Sequence, residues 1–231
     1  GQRTPPLDTL ESLAKALAFP DTLVAQLRPI AEMDALIEER TGAKPGAAAG
    51  FFTHNPRVAD LPERFSAVHD GIRLLEMGSV DIGGTGCICP ESAMLKTLFT
   101  HLLFRDDDIL LMDMYAGVEH LGRATVDFVD AMLVVVEPTR RSLATARQIK
   151  KLAADIGLTR VWLVGNRVRN EDDVKFLEHE AGEIPLLGSL PDDPGVIEAD
   201  RSGASVYARV PSLKAAAERI ADQLDRIVDV A

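Results

Sequence analysis

From Ile72 onward the chain keeps one rhythm. Short apolar runs at Ile72 to Met77, Ile109 to Met114, Met132 to Glu137, Val161 to Gly165 and Ile184 to Leu187 alternate with stretches of helix length. Those stretches are Glu91 to Phe104, Thr139 to Ile156, Glu171 to Ala181 and Pro211 to about Val230. The runs are apolar at consecutive positions, the pattern of strands covered on both faces. Parallel neighbours need a crossover connection of a dozen or more residues, and helical segments between the runs supply it. The pattern predicts an α/β fold: a doubly wound, mostly parallel sheet with helices on both faces and right-handed crossovers. Ligands of such sheets sit beyond the carboxyl ends of the strands, so the residues there are the candidates for chemistry.

The first third of the chain is read from its breaks. Leu10, Leu13, Ala14 and Leu17 recur at helical spacing between Leu7 and Phe19, and Pro20 ends that helix. A second helix is expected over Glu32 to Thr41 with Gly42 as its stop. Lys44 to Ala67 is poor in periodicity and reads as a long loop. A length of 231 residues predicts a single domain over 1–231, large enough to bury a core without staples.

Charge and apolar content then exclude partners. Lys and Arg number 25 against 36 Asp and Glu, a formal net charge of −11. The basic residues are scattered, so nucleic acid is not an expected partner. No apolar stretch approaches the roughly 20 residues that span a bilayer, and Gly1-Gln2-Arg3-Thr4-Pro5-Pro6 lacks a signal-peptide core. A cytoplasmic protein without a membrane partner is expected. The only cysteines, Cys87 and Cys89, flank one residue, so a disulfide framework is not expected.

Four places at strand ends hold chemistry-bearing residues. In Gly83-Gly84-Thr85-Gly86-Cys87-Ile88-Cys89-Pro90-Glu91, both thiols of an extended C-x-C point to one side. Two thiolates are half of a tetrahedral site for a soft metal, and a second copy of the chain at a twofold axis would supply the rest. Two small residues beside a turn is the plainer reading of the same pair. Asp113 ends an apolar run and is followed by a glycine-bearing loop, an arrangement that holds Mg²⁺ through water in nucleotide hydrolases. A turn-capping carboxylate would look the same. His120 in that loop is either a base or ligand, or a solvated side chain. Asn166 follows the Val161 run, where an amide offers donor and acceptor together to the edge of a base, or simply ends the strand. Leu190-Pro191-Asp192-Asp193-Pro194 would wall the same pocket through Pro191 and Asp193.

Several of these motifs occur in one order. Gly86-Cys87-Ile88-Cys89-Pro90-Glu91, Met112-Asp113-Met114 with Ala116-Gly117-Val118-Glu119-His120-Leu121-Gly122-Arg123, Val136-Glu137-Pro138-Thr139-Arg140-Arg141-Ser142-Leu143 and Asn166-Arg167-Val168 together resemble the carbon monoxide dehydrogenase maturation ATPases. These nickel-insertion accessory proteins belong to the MinD/ParA-like class of P-loop ATPases. Glu39-Arg40-Thr41-Gly42-Ala43-Lys44-Pro45-Gly46 and Asn55-Pro56-Arg57-Val58 resemble them too, so the likeness runs from about Ser12 to the C-terminus. It implies ATP or ADP with Mg²⁺, a homodimer that carries Zn²⁺ or Ni²⁺ on Cys87 and Cys89 from two subunits, and carbon monoxide dehydrogenase or a related metalloenzyme as client.

Two departures qualify the resemblance. The family opens with a strand and a glycine-rich loop carrying two lysines, yet the sequence contains no G-x-x-x-x-G-K-S/T and joins the family after that first strand, helix, strand unit. That loop's backbone N–H groups and lysines are the main cradle for the β- and γ-phosphates. Tyr115 stands where the family usually carries an acid. The expectation is therefore an ATP-dependent nickel-insertion protein. A nonhydrolysing metal- or partner-binding paralogue, or an ATPase of the same class with another client, remains open beside it.

Overall fold

The structure is a computed structural model describing residues 13–14, 17–45, 51–78, 90–103, 109–113 and 129–228. Its contacts gather into two compact units, Gly1–Leu110 and Leu111–Ala231.

In the first unit Pro20 is the N-cap of a short helix, α1 (Asp21–Val24), and a 3₁₀ turn follows at Ile30–Glu32. Helix α2 (Asp34–Thr41) stops at Gly42, whose φ of +79° is the left-handed conformation in which a residue without Cβ pays no steric penalty. Helix α3 (Leu61–Phe65) has proline in its first turn. Strands β1 (Ala67–His69) and β2 (Ile72–Leu74) pair antiparallel, His69 opposite Ile72. Asp70 and Gly71 between them have φ of +48° and +79°, the two positive values of a type I′ hairpin turn. Helix α4 (Pro90–Leu103) buries Met94 and Leu98 against Ile30, Leu36, Ile37, Val58 and Leu61. Arg40 forks onto Asp60, Nη1 to Oδ1 at 3.0 Å and Nη2 to Oδ2 at 2.7 Å. With Arg64 added, these hydrogen bonds hold the Asp60 carboxyl far below the usual carboxylate range.

Two expected strands of the parallel sheet are corrected here. The Ile72 to Met77 run forms one arm of the β1–β2 hairpin, because the Asp70-Gly71 turn folds it back on Ala67–His69. Residues 109–113 form no strand. Ile109 and Leu111 are 90% and 83% exposed, and an apolar run extends into a ladder only where a neighbour accepts its hydrogen bonds.

The second unit follows the expected alternation. Strand β3 (Met132–Val136) leads to α5 (Arg140–Ile156), capped by Thr139, whose hydroxyl accepts the Ser142 N–H, and ended by Gly157. Strand β4 (Val161–Val168) leads to α6 (Glu171–Glu180), capped by Asn170, whose side chain accepts the Asp173 N–H. Strand β5 (Leu186–Pro191) begins two residues beyond the expected Ile184 and runs on to Pro191. Helices α7 (Gly195–Arg201), α8 (Val206–Arg209) and α9 (Pro211–Val228) close the chain. The sheet is parallel in the order β3-β4-β5.

Glycines reveal how the helices cover it. Gly165 pairs in register with Ser189, so the two share a face, and a Cβ on Gly165 would lie 2.7 Å from Leu177 Cδ1 of α6. Gly188 points to the other face, where its Cβ would lie 2.6 Å from Ile220 Cγ1 of α9. Helices α6 and α9 thus lie on opposite faces. Helix α5 lies beside α6: Arg147 Nη1 donates to the Glu180 carbonyl at 2.6 Å, and Leu143, Ala146, Ile149 and Ala153 form its buried stripe. Gly188→Ala is expected to destabilise the protein by about 1–3 kcal/mol, more than Gly165→Ala. Ile220 Cγ1 sits next to its own backbone and moves only with α9, whereas Leu177 Cδ1 is a chain end. Thermal unfolding that leaves Gly188→Ala at the wild-type Tm would contradict this packing.

Candidate functional site

The carboxyl ends of β3, β4 and β5 converge on one ledge, built from Glu137, Asn166, Arg167 and the Pro191-Asp192-Asp193 turn. The ladder between β4 and β5 is broken there. Gly165 pairs with Ser189 and Val168 with Pro191, so three steps on β4 oppose two on β5, the signature of a β-bulge at Asn166 and Arg167. Arg167 absorbs the extra residue with a φ of +56°, a left-handed conformation costing a side-chain-bearing residue about 1–2 kcal/mol. Beyond the bulge the strands rejoin, the Asp192 N–H donating to the Val168 carbonyl at 3.0 Å.

The bulge sets the polar groups of the ledge. The Arg167 N–H donates to Asn166 Oδ1 at 3.0 Å, which fixes the carbonyl end of that amide and leaves one oxygen lone pair and the NH₂ for another partner. The Arg167 guanidinium lies 3.3 Å from Glu137 Oε1 and 3.7 Å from Asp192 Oδ1, joining the ends of three neighbouring strands. Asp193 is turned inward on its own chain: Oδ1 accepts the Gly195 N–H at 2.8 Å and Oδ2 the Ser212 hydroxyl at 2.5 Å. The Ser212 bond first, then the Gly195 N–H, lowers its carboxyl from the ordinary value. Asp193 therefore shapes the turn after β5 and fastens it to α9.

Asn166 lies in the bulge near the carboxyl end of β4, Pro191 ends β5 and Asp193 stands two residues beyond it. Asp113 is exposed and makes no hydrogen bond or ion pair among the described residues, and nothing there places it on the ledge. A lone solvated carboxylate of this kind is compatible with the usual mode of Mg²⁺ binding, through one or two carboxylates, waters and substrate phosphates. Cys87, Cys89, Tyr115 and His120 lie outside the described residues. Among the described residues no group of three or more His, Cys, Asp or Glu gathers to hold a metal ion, and no helix is long and apolar enough to cross a membrane. Sequence reasoning did not assign Glu137 and Arg167 to the site. Their signal was positional: Glu137 is the charged last residue of one run, and Arg167 follows Asn166 after the next.

No family model matches the chain. It is 42% identical over 203 residues to the carbon monoxide dehydrogenase accessory protein CooC of Rhodospirillum rubrum, covering 88% of this chain and 77% of that protein. An uncharacterized ATP-binding protein of Methanocaldococcus jannaschii is 42% identical over 193 residues, covering 83% of this chain and 74% of that one. Among solved structures, a ParA family ATPase from Chlorobium tepidum aligns over 94% of this chain and 92% of its own with a TM-score of 0.56 and 17% identity, a likeness of fold. The parallel sheet with helices is accordingly the α/β architecture of ParA-like P-loop ATPases, and by its identity to CooC the chain belongs to the CooC family of carbon monoxide dehydrogenase accessory proteins.

Proposed function

We propose that this protein is an ATP-dependent accessory protein in carbon monoxide dehydrogenase maturation, inserting nickel carried between two copies of the chain by Cys87 and Cys89. The observation that carries the reading is the 42% identity to CooC over 203 residues. Each residue has a role in it. The Asn166 amide reads the base through its free oxygen lone pair and NH₂, and Pro191 offers an apolar wall beside it. Asp193 keeps the turn after β5 in place through Gly195 and Ser212. Asp113 holds Mg²⁺ through water, and Mg²⁺ when bound neutralises charge on the β- and γ-phosphates. ATP binding closes the dimer, and the thiolates hold the metal that is the cargo.

The test is activation of a nickel-deficient carbon monoxide dehydrogenase with Ni²⁺ and ATP. It is run with the 231-residue chain and with a fusion that places a Walker A strand–helix–strand unit ahead of Gly1. The fusion is expected to raise client activity in an ATP-dependent way. The 231-residue chain is expected to bind ATP weakly and hydrolyse it without appreciable turnover, since its sequence holds no G-x-x-x-x-G-K-S/T. No rise in client activity with either protein overturns the reading.

A further inference from the structure

We propose that the first unit holds a binding site of its own, a basic cleft that takes a small hydroxylated anion bearing carboxylate or phosphate groups. The cleft measures about 500 Å³, within the size range of small-molecule sites. One wall is the segment that carries His54 and Arg57, and the other is α4 with Lys96 and His101. Among the described residues no carboxylate lines it, and Arg57 and Lys96 make no ion pair. In a chain with 36 Asp and Glu against 25 Lys and Arg, a counter-charge would be the commoner neighbour. Cations gathered without one repel each other and hold a positive potential, the condition that draws an anion.

The walls stand in place without a ligand. The Thr53 N–H donates to the Thr41 carbonyl at 2.8 Å, tying the segment to the end of α2. Arg40, forked onto Asp60, also donates through Nη1 to the Arg57 carbonyl at 3.1 Å. Val58 is buried in the same core as Met94 and Leu98 of α4. The main chain is thus braced on both sides of Arg57 while its side chain stays exposed, and a wall already ordered lowers the cost of binding. Arg57 offers a planar fork that meets phosphate or carboxylate with paired hydrogen bonds, and Lys96 a compact charge. The Thr97 and Thr100 hydroxyls donate to the Ala93 and Lys96 carbonyls, both at 2.9 Å, so what they have left for a ligand is acceptor capacity. Hydroxyl groups on the anion supply the matching donors.

Citrate and glycerol phosphate are the two probes, the first a hydroxylated carboxylate and the second a hydroxylated phosphate. They are titrated into the full chain at low ionic strength, where attraction between exposed charges is least screened. At least one should shift the NMR amide signals of Asn55, Arg57, Lys96 and Thr97 and raise Tm, and the one that does so identifies the anionic group. Arg57→Gln and Lys96→Gln should each weaken affinity about tenfold, the order expected for losing a hydrogen bond between charged groups, and together abolish it. Arg57→Lys and Lys96→Arg keep the charge and should retain most of the affinity.

The ligand-free variants separate a binding site from a structural contact. Removing cations that only repel each other should leave Tm unchanged or raise it. A Tm lowered in both glutamine variants would make Arg57 and Lys96 ordinary structural contacts and overturn the site. No shift with either anion would overturn it too, as would an affinity that survives the double variant. Shifts centred on Asn166 and Arg167 instead would assign the anion to the ledge of the second unit, with which the cleft shares no residue.

Discussion

Adding Zn²⁺ or Ni²⁺ is expected to bring two chains together around one metal, and replacing Cys87 and Cys89 with serine to abolish both the metal and the dimer. Two thiolates from each chain make a closed set of four, the number a structural Zn²⁺ site takes. The sequence beside the cysteines holds Gly83, Gly84 and Gly86, residues with no side chain to keep two backbones apart. Binding displaces protons from thiols whose ordinary pKa is near 8.5, so affinity should fall as pH drops below that value. Native mass spectrometry checks the stoichiometry directly: one metal per two chains in wild type, none in the double serine variant. A metal retained per monomer without the cysteines, or a fusion with a Walker A unit that stays monomeric with either metal, would remove the bridging arrangement.

The second large effect concerns Asp113. In the Walker A fusion, Asp113→Ala should lower ATP turnover by on the order of 100-fold or more, as removal of a group that serves developing charge on a transferred phosphoryl does. Asp113 is exposed and without partners among the described residues, so the fold should stay within about 0.5 kcal/mol of wild type. Circular dichroism and Tm establish the second half of the expectation, and phosphate release the first. Turnover unchanged in a folded variant would take Asp113 out of the Mg²⁺ role.

The parts that were legible in the sequence are those carried by periodicity and by end signals. Met132 to Val136 and the Val161 run were readable as strands because both are apolar at successive positions. Gly42 was readable as the stop of α2, where the chain takes the left-handed conformation. Periodicity did not say which neighbour a run would have. Ile72-Arg73-Leu74 looked like a sheet strand, although Asp70-Gly71 just before it is a hairpin signal. Residues 109–112 are as apolar as any strand, yet apolarity alone supplies no ladder partner. The bulge was hidden for another reason. An extra residue on one strand exists only relative to its partner, and nothing local in Asn166-Arg167-Val168 shows that β5 takes two steps where β4 takes three.

The parallel order β3-β4-β5 has a consequence for how the second unit assembles. Neither strand pair closes as a local turn, because each must wait for a helix, α5 or α6, to carry the chain back across the sheet. Loop-closure entropy is therefore met twice before the ladder is complete, and β4 is the strand both closures share. Its amides should be among the slowest in the unit to exchange with solvent deuterium.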